Sequence, residues 1–260
     1  MMVYEYITCE IENKVAVVTI DRPPVNPLSS DVFQELKEVF EDLENNASVG
    51  AIVLTGAGEK AFVAGADIKE MMNQDLIGIN QMNKKSRAAF SAIENVKKPV
   101  IAAINGVALG GGLELALACD LRISSEKARF SFPEVGLGII PGGGGTQRLQ
   151  KIVGQGIAKE LIYFGDMISA ERAYELQLVN KVVPQDEVVS EAVKWAEKLS
   201  EKPAVALSMA KAAINEGSNT DFEAGLNIET KCFANAFLSE DGREGLQAFA
   251  EKREPNFVGR

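Results

Sequence analysis

Residues 99–120, PVIAAINGVALGGGLELALACD, decide how the chain is read. The first ten, PVIAAINGVA, form an apolar run that fits a strand buried on both faces. Gly110, Gly111 and Gly112 then let the backbone turn sharply, and LELALACD continues as a helix. A strand that feeds a helix through glycines is the unit of an α/β fold with parallel strands. Unpaired N–H groups at such a helix start lie at the positive end of the helix dipole and suit an oxyanion or a phosphate. The same glycines also serve as a tight connection with no ligand. Glu114 stands in the first helical turn, between Leu113 and Leu115. It is either an acid that favours a helix start or a desolvated carboxyl. In the second case its pKa rises towards neutrality, as a general acid or base requires.

The flanking sequence repeats the pattern. Residues 3–9 and 14–20 read as strands joined by a turn at Glu12-Asn13-Lys14, and RPPVNPLS (22–29) is a loop. Ser29 or Ser30 caps a helix with Phe33, Leu36, Val39, Phe40 and Leu43 on one face. AIVLTG (51–56) is a buried strand running into the loop GAGEKAFVAGAD, with helices to about Asn73 and from Asn80 to Val96. LRISSEKARFSF (121–132) reads as two short strands or a hairpin. Beyond Gly142 the chain is mostly helical: GGGTQRLQKIVG, AKELIYFG and SAERAYELQLV, then the strand KVVP, then helices near 187–200, 203–217, 220–238 and 241–253. A boundary is expected near residue 200, with residues 1–200 as a core and 201–260 as a helical part that packs on a neighbouring subunit.

Other segments carry candidate chemistry. Glu134, in FSFPEVGLG, is a second apolar-flanked glutamate and reads either as an acid after Pro133 at a helix start or as a partner of Glu114. Paired carboxylates can divide acid and base roles. In VAGADIKEM (63–71), Ala64, Gly65 and Ala66 are small enough for a ligand to approach the backbone, and Asp67 can cap the helix that follows. PGGGGTQRL (141–149) lacks the Lys-Ser/Thr of a phosphate-binding P-loop and reads as a wall or turn.

Composition removes several alternatives. With 260 residues, 46% apolar and 25% charged, the chain fits one large soluble domain, or one with a small appendage. It contains no histidine, which excludes Ser-His-Asp and Cys-His catalysis and histidine-ligated zinc. A net charge of -10 without a Lys/Arg run longer than two residues argues against nucleic acid as a partner. Cys9, Cys119 and Cys232 are odd in number and form no CxxC, as expected in a reducing compartment. MMVYEYITCEIENK lacks the basic start and apolar run of a signal peptide, and no stretch of 18 apolar residues occurs, so a cytoplasmic, non-membrane protein is expected.

AFVAGADIKEM (61–71), residues 98–120, ARFSFPEVGLGIIPGGGGTQRL (128–149) and SEDGREGLQAFAEKREPNF (239–257) together resemble the crotonase superfamily, and within it the enoyl-CoA hydratases. The likeness covers nearly the whole chain in order. It implies an α/β crotonase fold of stacked ββα units, a helical C-terminal trimerisation region, and a homo-oligomer that is usually a hexamer of two trimers. It implies no metal and no redox cofactor, with CoA present only as part of the acyl-CoA substrate. By motif position, the backbone N–H groups of Ala66 and Gly111 would form an oxyanion hole for the thioester carbonyl. Ala64, Gly65, Ala66, Asp67 and Ile68 would line the adenine and pantetheine of CoA. Phe249 and Lys252 would contact CoA, in some members from a neighbouring subunit. Glu114 and Glu134 would be the catalytic pair that adds water across a 2-enoyl-CoA, Glu114 activating water and Glu134 supplying the α-proton. The reaction serves fatty-acid β-oxidation and related acyl-CoA metabolism. Pro27 stands where the family more usually has a small residue, which puts the geometry of that loop in question. Two alternatives are carried forward. One is an enoyl-CoA isomerase, an activity commonly run by a single acid/base residue. The other is a non-catalytic or RNA-binding member, against which the charge argues.

Overall fold

The computed structural model describes residues 4–260. Strands β1 (Ile7–Glu12) and β2 (Val15–Ile20) pair antiparallel, from Ile7 opposite Ile20 to Glu12 opposite Val15. The first strand therefore lies further along the chain than residues 3–9, and Val3 falls outside the described residues. Asn13 and Lys14, both at positive φ, form the two-residue turn that fixes this register. Helix α1 (Ser30–Asn45) follows, and the Ser29 side chain accepts the Val32 N–H as its cap.

Strands β3 (Ala51–Gly56), β5 (Val100–Ile104), β7 (Leu121–Ser125) and β10 (Lys181–Val183) extend the sheet in parallel, in the order β1-β2-β3-β5-β7-β10. Their side chains alternate between two apolar layers, as the period of two in a strand requires. Ile52 and Leu54 of β3 and Val100, Ala102 and Ile104 of β5 join a core with α1 and with helix α3 (Leu76–Asn95). Ala51, Val53, Ile101 and Ala103 face the other way, against Val188, Ala192 and Ala196 of helix α7 (Val188–Ser200). Both faces are covered, which explains the unbroken apolar runs of β3 and β5.

A second, four-stranded sheet has the order β4-β6-β8-β9, formed by β4 (Ala61–Val63), β6 (Val107–Leu109), β8 (Arg129–Ser131) and β9 (Ile168–Ser169). The run 99–109 is thus two strands in two sheets rather than one. The break lies at Asn105-Gly106. Asn105 Nδ2 donates to the carbonyls of Gly56, at 2.8 Å, and Gly58, at 2.6 Å. A Cβ on Gly106 would stand 2.5 Å from the Lys60 carbonyl, so two backbones cross there. Likewise β7 and β8 do not form a hairpin but enter different sheets.

The two sheets give the fold its repeat: a strand in the large sheet, a strand in the small sheet, then a helix. β3 and β4 lead to α2 (Ile68–Met72), and β5 and β6 lead to α4 (Gly111–Ala118). β7 and β8 lead to a 3-10 turn, Pro133–Leu137, and then to α5 (Gly145–Phe164), which leaves helical geometry at Gly154. Ile68 at the start of α2, Gly111 at the start of α4 and Pro133 at the start of the 3-10 turn line one cavity, the candidate site. Helix α3 begins earlier than Asn80, at Leu76, because the Asp75 side chain caps it by accepting the Gly78 N–H.

After α6 (Ala170–Glu175) and α7, the chain ends in α8 (Ala204–Gly217), α9 (Phe222–Leu238) and α10 (Glu240–Glu251). Lys211 ties α8 to the core through Asp120, at 2.8 Å, and the Lys98 carbonyl, at 3.1 Å. Neither α8 nor α9 has a buried residue among those described, and Phe222, Phe233 and Phe237 are exposed on α9. No helix of the described residues is long and apolar enough to cross a membrane.

Candidate active site

A cavity of about 1040 Å³ lies between α3, the start of α4, the 3-10 turn and the glycine run at 142–143. Its walls are mostly apolar and include Phe33, Met82, Phe90, Leu109, Ile139 and Ile140. Both Glu114 and Glu134 open into it, so the two glutamates that the sequence suggests as a pair line one cavity.

Glu114 is 3% exposed. Its Oε1 accepts the N–H of Gly143, at 2.8 Å, and of Gly145, at 2.7 Å. Gly145 is the first residue of α5, so Glu114 satisfies an orphan donor at the start of a second helix as well as standing in the first turn of its own. Burial raises its pKa, while the N–H groups of Gly145 and Gly143 and the charge of Arg148 pull it back down. Fixed donors of this kind favour the carboxylate form. The PGGGG segment does wall the cavity through Pro141, Gly142 and Gly143, and it has a second role that its sequence does not reveal: its N–H groups hold the Glu114 carboxylate.

Glu134 has the opposite surroundings. It follows Pro133, the first residue of the 3-10 turn, and its Oε2 is buried with no hydrogen-bond partner among the described residues. Burial pushes its pKa up to about 7, opposed by its own backbone N–H and reinforced by the negative charge of Glu114. Burial pushes both carboxyls towards the neutral form, but only Glu114 has fixed N–H donors and a nearby cation that oppose the push. This asymmetry lets a pair divide base and acid roles.

Gly110 adopts φ 48°, ψ -119°, and a Cβ there would meet Glu134 Oε1 at 2.5 Å. The next residue, Gly111, begins α4, and a Cβ built on it would lie 3.5 Å from the backbone N of Ala66. Ala66 sits in a single parallel bridge with Leu28, which uses the Gly65 carbonyl and the Asp67 N–H. Among the described residues neither Ala66 N–H nor Gly111 N–H has an acceptor, and both residues line the cavity. Two free amide donors thus stand side by side next to the carboxylate pair.

Ala64, Gly65 and Ile68 also line the cavity. Asp67 does not: its Oδ1 caps α2 by accepting the Glu70 N–H, and its Oδ2 pairs with Arg22 at 2.7 Å, which lowers its pKa. Arg22 also donates to the Pro27 carbonyl, and the Leu28 N–H donates to Gly65. The loop carrying Pro27 is thereby fastened to residues 65–67. Phe249 and Lys252 are not brought to the cavity within one chain. Phe249 is 87% exposed on α10, and Lys252 caps the end of that helix in the left-handed region.

The sequence profile of the enoyl-CoA hydratase/isomerase family matches residues 10–260. The chain belongs to that family. This family member is 45% identical over 260 residues, all of both chains, to the crotonyl-CoA hydratase of Syntrophomonas wolfei. It is 47% identical over 248 residues, 95% of each chain, to the short-chain-enoyl-CoA hydratase of Clostridium acetobutylicum. Among solved structures, the enoyl-CoA hydratase from Bacillus anthracis superposes with a TM-score of 0.94 at 41% identity, covering 98% of this chain and 100% of that one. The stacked ββα architecture is therefore the crotonase fold of the hydratases.

Proposed function

We infer that the chain is an enoyl-CoA hydratase, a hydro-lyase that reversibly adds water to a trans-2-enoyl-CoA to give a 3-hydroxyacyl-CoA. The observation that carries this reading is the pair of unlike glutamates in one cavity, beside two amide N–H groups without acceptors. An isomerase needs one group to move a proton. A hydratase needs one to activate water and one to deliver a proton, and both are present. Its relatives named as crotonyl-CoA and short-chain-enoyl-CoA hydratases support a short acyl chain.

In this reading the thioester oxygen binds between the N–H groups of Ala66 and Gly111, which form an oxyanion hole. Water held by the glutamates attacks the β-carbon as Glu114 takes its proton. The π electrons move onto the carbonyl oxygen as an enolate, which the two N–H groups stabilise. The enolate collapses and takes the Glu134 proton at the α-carbon, so one H and one OH are added. The water-derived proton on Glu114 then passes to Glu134 through the next water that enters, which restores the starting protonation of both carboxyls. The stretch Ala64 to Ile68 lines the adenine and pantetheine of CoA, with Asp67 acting through its bonds to Arg22 and Glu70. Phe249 and Lys252 reach a CoA from the neighbouring subunit. No metal or redox cofactor takes part.

The exposed aromatic residues of α9 support residues 201–260 as an oligomerisation region beside a core of residues 1–200, in a hexamer of two trimers. A monomeric mass in sedimentation would contradict this. The three free cysteines support a cytoplasmic setting, and acyl-CoA metabolism such as β-oxidation is the fitting context.

The pH dependence tests the division of labour. Glu134 must be protonated to deliver its proton, so kcat/KM for trans-2-butenoyl-CoA falls as pH rises through about 7. Glu114 must be ionised, so kcat/KM also falls as pH drops through its raised pKa. The expected profile is a bell whose two limbs belong to the coupled pair. A profile flat from about pH 5 to about pH 9 would contradict the assignment.

A further inference from the structure

Behind the glycine run lies a charged pair that the mechanism above does not use. Arg148, in the first turns of α5, donates from Nη1 to the Gly143 carbonyl at 2.9 Å and from Nη2 to Glu94 Oε2 on α3 at 2.7 Å. The Gly143 carbonyl belongs to the peptide that links the two amide donors of Glu114, Gly143 N–H and Gly145 N–H. The guanidinium therefore grips the middle of the three-peptide cradle that holds the carboxylate. Gly144, at φ 109°, lies so close that a Cβ there would meet Nη1 at 2.3 Å. Arg148 Nε is buried without a partner among the described residues. A largely buried guanidinium with an unsatisfied N–H is a poor source of stability. Its placement calls for another reason.

We propose that Arg148, anchored by Glu94, is a positioning residue that holds the Gly143–Gly145 cradle in register and so orients the Glu114 carboxyl seated in it. It does not touch the substrate, and it is absent from the cavity lining. Two effects run through it. Its fork, braced against α3, fixes the direction of the two N–H donors. Its positive charge offsets the desolvation of Glu114. The charged groups that face Glu114 are Glu134 from the 3-10 turn and Arg148 from α5, and α3 contributes Glu94 behind Arg148. Without Arg148 the charged groups left near Glu114 are Glu134 and, behind the cradle, Glu94, and both negative charges favour its protonation against the Gly143 and Gly145 N–H donors.

The inference rests on the hydratase reading, and its test separates the two. Arg148→Met removes charge and fork, whereas Arg148→Lys keeps the charge and loses the bidentate grip. The first readout is the ionisation of the Glu114 carboxyl by infrared difference titration, identified by its loss in Glu114→Gln. This readout needs no turnover. The midpoint should move to higher pH in Arg148→Met and stay close to wild type in Arg148→Lys. The second readout is hydration of trans-2-butenoyl-CoA. In Arg148→Met kcat should fall by about 10- to 100-fold with KM little changed, and the acid limb of its pH profile should move in step with the titration. Arg148→Lys should recover the position of the limb and only part of the rate. A Glu114 midpoint unchanged in Arg148→Met would overturn the proposal, as would a wild-type rate in that variant. If Arg148→Met does not fold, a wild-type rate in Arg148→Lys overturns the positioning role. A shifted midpoint in a protein that hydrates no enoyl-CoA would instead overturn the hydratase reading.

Discussion

Glu134→Gln lowers kcat for hydration of trans-2-butenoyl-CoA by about 10²- to 10⁴-fold, and Glu114→Gln does the same. Each change keeps the size and shape of the side chain, so the cavity and its affinity for substrate should survive and KM should change little. Each removes a different function. Gln at 134 has no proton of suitable acidity to give to the α-carbon. Gln at 114 can still accept the Gly143 and Gly145 N–H groups through its amide oxygen, but it cannot take a proton from water. Because the two act on one water and one enolate, the double variant should lose little more than either single one. Steady-state assays with circular dichroism as a folding control decide the matter. A Gln variant at either position with near wild-type kcat would refute the two-glutamate mechanism.

Gly111→Ala reduces kcat by about 10²- to 10³-fold while leaving the fold intact, the magnitude found when one oxyanion donor is lost. The backbone of Gly111 is not in the left-handed region, and alanine is a good helix former. The added methyl would stand in ordinary contact distance of its neighbours, 3.5 Å from Ala66 N and 3.6 Å from Leu28 Cδ1. Nothing in the fold resists it. The methyl nonetheless enters the space beside the Ala66 N–H, where the thioester oxygen must sit. The neighbouring glycine serves as a control of the opposite kind. A Cβ at Gly112 would approach the Val63 carbonyl to 2.0 Å, so Gly112→Ala should lower the melting temperature first. A Gly111→Ala enzyme with wild-type kcat would remove Gly111 from the oxyanion hole.

Much of this arrangement is legible in the sequence. The apolar runs of β3 and β5 marked a sheet covered on both faces, and Ser29 marked the start of α1. The same apolar character concealed the break at Asn105-Gly106, because a run buried throughout carries no alternation to reveal a change of sheet. The strands β4 and β9, at three and two residues, are too short to show any period. Glu114 and Glu134 were visible as carboxyls among apolar neighbours. What distinguishes them was not visible, since the amide donors of Glu114 lie 29 and 31 residues further along the chain. Asp67 shows the converse. A local capping role was readable from VAGADIKEM, but its Arg22 partner, 45 residues earlier, turns the side chain away from the cavity and into a tie between two loops.

The most direct measurement offers the purified protein trans-2-butenoyl-CoA and a 3-enoyl-CoA side by side and identifies the products by mass spectrometry in H₂¹⁸O. A hydratase built on Glu114 and Glu134 converts the first to a 3-hydroxyacyl-CoA carrying one heavy oxygen. Conversion of the 3-enoyl-CoA to its 2-enoyl isomer, with no heavy oxygen gained from either substrate, would contradict it.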